Sequence, residues 1–123
     1  MYELRVEGDF SASHQLREYQ GKCENLHGHN WHVEMYVRGN ELNEIGILVD
    51  FKDLRKILNN VLSTLDHSFL NDIEPFTKLN PSAENIAKFI FDEAKTVTDT
   101  LNIELYKIVV FETPKSMAVY MNN

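Results

Sequence analysis

Cysteine occurs only once in this chain of 123 residues. A single thiol excludes an intrachain disulfide framework, and it suits the reducing cytoplasm. Glycine and proline are also scarce, with five and three residues, which excludes collagen-like and low-complexity chains. The 43% of hydrophobic residues and 11% of aromatic residues indicate a globular chain that can bury a core. We therefore expect one domain over residues 1–123.

Long hydrophobic runs and a surplus of basic residues are both absent from the sequence. No apolar run is long enough to span a bilayer, and the first residues lack the charged-then-apolar form of a signal peptide. Twelve basic against nineteen acidic residues give a net charge of -7, whereas a protein that binds the phosphate backbone needs a basic face. We expect a cytoplasmic protein that has neither nucleic acid nor a membrane as its partner.

Alternating apolar residues predict two strands in the first third of the chain. They fall at even positions from Tyr2 to His14, with a bulge or bend at Gly8, and at odd positions from His27 to Val37. The segment between them is polar and suits a loop, so the two strands can pair antiparallel. Such pairing would bring the end of the first strand towards the start of the second.

Helical spacing of apolar residues predicts two helices in the middle of the chain. The first begins after Asp50, a suitable N-cap, and the second begins near Pro81, with Asn80 or Ser82 as its cap. The apolar faces comprise Phe51, Leu54, Ile57, Leu58, Val61, Leu62 and Leu65 in the first helix, and Ile86, Phe89, Ile90, Ala94, Val97 and Leu101 in the second.

Two further strands are predicted at residues 103–112 and 115–121, on either side of a Thr-Pro turn. The element order is therefore ββααββ, which predicts an α+β domain with a four-stranded antiparallel sheet and both helices on one face. The first of these late strands is apolar on both faces, and the sheet has two edges to protect. Self-association would cover these surfaces, so we expect a homo-oligomer.

Three histidines with matching strand parity form a candidate metal site. His27 and His29 are two residues apart on one strand, so their side chains share a face, about 6 to 7 Å apart at the backbone. His14 has the matching parity on the neighbouring strand. Three ligands about 2.1 Å from one zinc ion, with a fourth position open to water or substrate, form the pattern of a catalytic site. Exposed polar strand residues are the alternative, and His32, with the opposite parity, is expected to be a surface histidine.

The other candidate functional residues are a thiol, an Asp-His pair and a carboxylate at the end of a strand. Cys23 is a buried small residue, a fourth zinc ligand, or a thiol whose pKa a nearby cation lowers. Asp66 and His67 either cap the first helix or supply a proton relay near neutral pH. Glu112 is either a solvated strand end or a carboxylate that receives two N–H donors from a planar heterocycle.

These segments together resemble the 6-pyruvoyl-tetrahydropterin synthase superfamily, and most closely its bacterial branch, the 6-carboxy-5,6,7,8-tetrahydropterin synthases of queuosine biosynthesis. The resemblance covers nearly the whole chain, through Phe10 to His14, Cys23 with His27-Gly28-His29, Val49-Asp50-Phe51, Leu65-Asp66-His67 with Leu70-Asn71-Asp72, Asn80-Pro81-Ser82 with Glu84, and Phe111-Glu112-Thr113. It implies a tunnelling fold (T-fold), in which each subunit gives four strands to a trimeric barrel. Two trimers then stack into a homohexamer, with active sites between subunits.

The resemblance also implies a reaction and residue roles. The implied enzyme is a zinc-dependent lyase that converts 7,8-dihydroneopterin triphosphate to 6-carboxy-5,6,7,8-tetrahydropterin, releasing triphosphate and acetaldehyde. The implied roles are zinc binding by His14, His27 and His29, proton removal by Cys23, proton relay by Asp66 and His67, pterin anchoring and a part in the relay by Glu112, and pterin contact by Ser82.

Alternatives to this product and this class of function remain open. Related enzymes make 6-pyruvoyl-tetrahydropterin or, on the folate route, 6-hydroxymethyl-dihydropterin. Glu24 bears on the product, because a glutamate there accompanies the hydroxymethyl product in one branch, usually without the cysteine; otherwise it is a loop surface charge. Arg17, Lys22 and Lys115 are candidates to bind the triphosphate. A different class is a non-catalytic, zinc-stabilised oligomeric binding module, in which Cys23 is the fourth zinc ligand.

Overall fold

The computed structural model describes residues 1–22 and 24–122. Its elements in chain order are β1 (Tyr2–His14), β2 (His27–Gly39), α1 (Phe51–Leu62), β3 (Ser68–Phe69), a 3₁₀ helix (Leu70–Asp72), α2 (Ala83–Thr98), β4 (Glu104–Thr113) and β5 (Ser116–Met121). The strands form a five-stranded sheet in the order β3-β1-β2-β4-β5. The α+β class and the order of the long elements are confirmed.

The β1–β2 pair is the longest ladder of the sheet and carries the predicted histidines. It is antiparallel and runs from Tyr2 opposite Gly39 to His14 opposite His27 without a register shift. Of the predicted bulge or bend at Gly8, the bulge is therefore wrong, and the bend stays a prediction. A Cβ atom at Gly8 would lie 2.9 Å from Asn59 Oδ1 and 3.0 Å from a methyl carbon of Leu62, so this glycine allows α1 to approach β1 closely.

The prediction of four strands misses β3. This strand pairs parallel with β1, where Ser68 lies opposite Ala12 and Phe69 opposite Ser13. Two residues are too few for an alternating pattern to be recognised, because the pattern is read over four to eight residues. The short strand directly follows Asp66 and His67, so it fixes that pair at the β1 edge of the sheet.

Both helix starts follow from side-chain caps. The Asp50 carboxylate accepts a hydrogen bond from Lys52 N, and the Ser82 hydroxyl accepts one from Asn85 N. Both caps were predicted. Pro81, near which the second helix was predicted to begin, lies just before the N-cap of α2 and not in its first turn.

The core lies between the helices and one face of the sheet. Trp31, Met35 and Ile108 are among its fully buried side chains. Three residues assigned to the buried helix faces are instead exposed: Phe51 to 47%, Val97 to 43% and Leu101 to 39%. Phe51 is the first residue of α1, and Val97 and Leu101 line an open groove between the helices. No helix in the described part of the chain is long and apolar enough to cross a membrane.

The opposite face of the sheet carries charges on β1 and β2. Arg5 Nη1 lies 3.1 Å from Glu7 Oε2 and 2.9 Å from Glu34 Oε2. His32 lies on this face, as its parity predicts, and its Nδ1 is 2.8 Å from Asp9 Oδ1.

We expect Gly8→Ala to destabilise the protein by about 1 to 3 kcal/mol, because the new methyl group would force Asn59 and the buried Leu62 to move. Urea unfolding of the metal-free protein measures this change. Gly28→Ala is the matched control in a neighbouring strand, since its Cβ would have no neighbour closer than 3.7 Å. Equal losses of stability in the two variants would contradict the close approach of α1 as the reason for Gly8.

Candidate metal centre

Three imidazoles converge at one end of the β1–β2 ladder. His14 and His27 are its last cross-strand pair, and their Nε2 atoms lie 3.0 Å apart. The ring of His29 meets both edge-to-face, with centroid distances of 5.3 Å to His14 and 4.8 Å to His27. The prediction that strand pairing unites these histidines is confirmed.

Backbone carbonyls fix two of these rings from behind. His14 Nδ1 lies 2.8 Å from the carbonyl oxygen of Pro81, and His27 Nδ1 lies 2.8 Å from that of Asn25. A carbonyl oxygen only accepts hydrogen bonds, so each Nδ1 must be the donor. In a neutral ring the Nε2 atom then carries a lone pair. Two lone pairs facing each other cannot form a hydrogen bond, whereas one shared cation would satisfy both.

His29 adds a buried nitrogen that lacks a partner. Its Nε2 atom is buried and, among the described residues, forms no hydrogen bond. Glu112 Oε1 lies 3.0 Å away, but at an angle that does not make a hydrogen bond. Burial lowers the pKa of His29, which favours the neutral imidazole that a metal ion requires.

Glu112 brings a carboxylate to the same point. Its Oε1 atom lies 3.0 Å from His29 Nε2, 3.3 Å from His14 Nε2 and 4.0 Å from His27 Nε2. In a tetrahedral zinc site with bonds of about 2.0 to 2.1 Å, ligand atoms lie about 3.4 Å apart. The three imidazole nitrogens therefore have the spacing of a metal-ligand set with Glu112 beside them, and imidazole ligands suit Zn²⁺.

Glu112 lies closer to the three histidines than the sequence analysis predicted. The carboxylate was expected to anchor a pterin and to take part in a relay, and its approach to the three ring nitrogens was not predicted. The pairing of β2 with β4 places it there, because His32 lies opposite Phe111 and the following residue faces the core side. No local sequence signal specifies that long-range register.

A second group of possible ligands lies on the opposite sheet face. Glu7, His32 and Glu34 have ligand atoms within 4.8 Å of one another. Arg5, however, already pairs with the Oε2 atoms of both glutamates. We therefore interpret this group as an ion-pair network, which makes His32 a suitable control for the metal centre.

Asp66 and His67 form a separate pair at the edge of β1. Asp66 Oδ1 accepts a hydrogen bond from Ser11 N over 2.8 Å, and His67 N donates one to Ser11 O over 2.6 Å. The Ser11 N–H lowers the pKa of Asp66, so this side chain remains a carboxylate. Its Oδ2 atom lies 3.0 Å from His67 Nδ1.

The His67 side chain is 84% exposed, and its backbone has the left-handed φ of 56°. It borders a shallow pocket that Gly28, His29 and Asn30 also line. In residues 1–22 and 24–122, no hydrogen bond or ion pair connects Asp66 or His67 with the three-histidine group. The structure therefore brings the predicted ligands together, but it does not join them to the predicted relay pair within one chain.

The remaining predicted residues have different outcomes. Ser82 caps α2, and its predicted contact with a pterin stays a prediction. Cys23 lies outside the described residues, so its predicted role also stays a prediction. The guanidinium of Arg17 donates hydrogen bonds to the carbonyl oxygens of Phe76 (2.7 Å) and Leu79 (3.2 Å). Arg17 therefore has a structural role that sequence analysis missed, and its predicted binding of triphosphate stays a prediction.

We expect His29→Ala to lower zinc affinity by more than about 100-fold, because losing a direct ligand costs more than losing an outer partner of one. His32→Ala, which replaces the same residue type on the other face, should bind zinc as the unmodified protein does. Competition with a chromophoric chelator measures both affinities. Equal zinc affinity of the two variants would contradict the assignment of the metal centre.

Comparisons with known proteins show which family this chain resembles. A family model described as 6-pyruvoyl tetrahydropterin synthase matches residues 3–123. The 6-carboxy-5,6,7,8-tetrahydropterin synthase of Bacillus subtilis is 37% identical over 126 residues, which cover 97% of this chain and 84% of that protein. A putative 6-pyruvoyl tetrahydrobiopterin synthase of Caenorhabditis elegans is 35% identical over 124 residues, covering 90% of this chain and 88% of that protein.

Similarity to a solved structure extends over almost the whole fold. The 6-pyruvoyl tetrahydropterin synthase of Caenorhabditis elegans superposes with a TM-score of 0.86 at 31% identity, covering 99% of this chain and 96% of that one. This similarity confirms the T-fold that the sequence resemblance implies. The chain belongs to the 6-pyruvoyl tetrahydropterin synthase family.

Proposed function

We propose that this protein is a zinc-dependent lyase that converts 7,8-dihydroneopterin triphosphate to 6-carboxy-5,6,7,8-tetrahydropterin for queuosine biosynthesis. Water is consumed, and triphosphate and acetaldehyde are released. The observation that carries the proposal is the convergence of His14, His27 and His29 on one point, with two rings oriented by backbone carbonyls. The 37% identity of the 6-carboxy enzyme of Bacillus subtilis supports the choice of product.

Each residue of the site has its own role in the proposed reaction. Zinc, when bound here, supplies a Lewis acid that makes the side-chain hydroxyls and neighbouring C–H groups of the substrate more acidic. The thiolate of Cys23 removes a proton from the substrate side chain, and His67 returns one. Asp66 orients the His67 ring through its contact with Nδ1. The Glu112 carboxylate receives N–H donors from the pterin and contributes to proton relay.

We infer that the active unit is a homo-oligomer with sites between subunits. Within one described chain, the relay pair lies at the β1 edge without a hydrogen bond or ion pair to the metal centre, and the His67 side chain is largely exposed. The other edge of the sheet is β5, which follows Glu112 closely and exposes Met117 and Met121. Joining these two edges between subunits would bring His67 of one chain towards the metal centre of the next. A trimeric barrel, stacked into a hexamer, satisfies this arrangement.

A cytoplasmic site of action completes the proposal. The reaction requires a reduced thiol at Cys23, and the cytoplasm keeps isolated thiols reduced.

A second candidate product is 6-hydroxymethyl-dihydropterin, and the position of Glu24 favours it. The Oε1 atom of Glu24 lies 3.8 Å from His27 Nδ1, and 27% of its side chain is exposed. This carboxylate lies on the Nδ1 side of the ring and is the group that would act on the substrate side chain in that reaction. The alternative product 6-pyruvoyl-tetrahydropterin is supported by the name of the matching family model.

Mass spectrometry of the products tests this proposal. We expect zinc-loaded protein incubated with 7,8-dihydroneopterin triphosphate to yield 6-carboxy-tetrahydropterin and acetaldehyde. Cys23→Ala should keep zinc but lose at least about 100-fold in turnover, the lower end of general-base contributions. Glu24→Gln is the control in the adjacent position and should keep both the product and the rate.

The other outcomes separate the alternatives. A 6-hydroxymethyl product that disappears in Glu24→Gln would replace the proposed reaction with the second candidate, and a 6-pyruvoyl product would replace it with the third. Absence of any product, with a protein that unfolds when zinc is chelated, would favour the non-catalytic binding module.

A further inference from the structure

Asn71 binds the backbone of the segment that follows His14. Its side-chain oxygen accepts a hydrogen bond from Gln15 N over 3.0 Å, and its side-chain nitrogen donates one to Gln15 O over 2.8 Å. Only 8% of Asn71 is exposed. The Asn71 side-chain amide thus bonds both backbone groups of Gln15, as one residue of a neighbouring antiparallel strand would. None of the roles proposed above uses Asn71.

The segment held by Asn71 in turn holds the loop between β1 and β2. Gln15 Nε2 donates a hydrogen bond to Glu24 O over 2.6 Å. Glu24 N donates one to Leu16 O over 2.8 Å, and Leu16 N donates one to Glu24 Oε1 over 3.3 Å. Three hydrogen bonds therefore tie Glu24 to the two residues that follow β1.

Glu24 is the point at which this loop is fixed. The turn before it is bonded within itself, through Gly21 N to Glu18 O and Lys22 N to Tyr19 O. The residues next to Glu24 are Cys23 and Asn25, and the Asn25 carbonyl orients the His27 ring. A displacement of Glu24 would consequently move both neighbours.

Asn80 fixes the next part of the same segment independently. Its side chain accepts a hydrogen bond from Arg17 N over 2.8 Å and donates one to Arg17 O over 3.0 Å. Loss of Asn71 alone would therefore loosen Gln15 while Arg17 stays in place. This arrangement makes a local effect of Asn71 separable from a general loss of structure.

We propose that Asn71 is a positioning residue for the active-site loop. It acts through Gln15 on Glu24, and thereby on the adjacent Cys23. The role of Cys23 as the proton acceptor rests on the proposed function, whereas the positioning of Glu24 rests on the hydrogen bonds alone. A group that transfers a proton loses about 100-fold in rate when it is misplaced by about 1 Å, so an indirect tether of this kind has a large effect.

Two variants interrupt the tether at different points. Asn71→Leu removes both hydrogen bonds to Gln15 with little change in volume, and Gln15→Met removes only the bond to Glu24 O. Thr98→Val is the control, because Thr98 is fully buried in α2 and its hydroxyl bonds only to Lys95 O within the described chain. Gln15→Met decides the question if Asn71→Leu does not fold.

Hydrogen exchange and alkylation measure positioning without turnover. We expect amide exchange across residues 15–26 to be at least about 10-fold faster in both variants and unchanged in Thr98→Val. The rate of Cys23 alkylation by iodoacetamide should change in both variants, and the double variant should resemble Asn71→Leu, because both substitutions break one path. Exchange and alkylation rates equal to those of the control would overturn the proposal.

Kinetics then separate a positioning role from a general structural one. With 7,8-dihydroneopterin triphosphate and saturating zinc, kcat should fall about 10- to 100-fold in both variants while KM stays unchanged. Unchanged kcat in both variants would overturn the proposal. If the unmodified protein makes no pterin product, the proposed function fails, and the exchange and alkylation results still decide whether Asn71 positions the loop.

Discussion

Hydrogen bonds from ring Nδ1 atoms to backbone carbonyls are the interaction on which the site depends. Pro81 O fixes the ring of His14, and Asn25 O fixes that of His27. Because these bonds occupy the Nδ1 atoms, both Nε2 atoms present lone pairs to the same point. The Pro81 carbonyl directly precedes the N-cap of α2, so the start of that helix and the end of β1 must be in place together. The candidate metal centre is therefore a product of the tertiary fold and not of the local His-Gly-His sequence.

Different groups of residues lie on the two faces and at the edges of the sheet. One face buries the core beneath the helices, with the metal centre where that face ends. The other carries ion pairs on β1 and β2, and the proposed relay pair, Asp66 and His67, lies at the β1 edge. Ser11 connects Asp66 and His67 to β1 through two backbone hydrogen bonds. This separation is the physical basis for proposing that a complete site needs two subunits.

Much of this arrangement could be predicted because it follows from regular periods. The parity of His14, His27 and His29 specified a shared face, and strand pairing then brought the side chains together. The caps of both helices could likewise be identified, since Asp50 and Ser82 bond to backbone N–H groups within their own first turns.

The features that were missed depend on contacts between distant segments. Gly8 was interpreted as a bulge or bend, because the sequence does not show that α1 passes over it. Strand β3 is too short to have a period, and the place of Glu112 depends on the register between β2 and β4. Arg17 was a candidate for phosphate binding, but the carbonyl oxygens that it contacts belong to residues more than fifty positions away. Long-range register and backbone partners of this kind have no local signature.

The most direct test of the metal centre is X-ray absorption spectroscopy of the zinc-loaded protein. The account predicts a first shell of nitrogen and oxygen atoms at about 2.0 to 2.1 Å, with the multiple scattering of three imidazoles. A sulfur atom at about 2.3 Å would instead show that Cys23 closes the site as a structural ligand. That result would contradict a catalytic centre built on His14, His27 and His29.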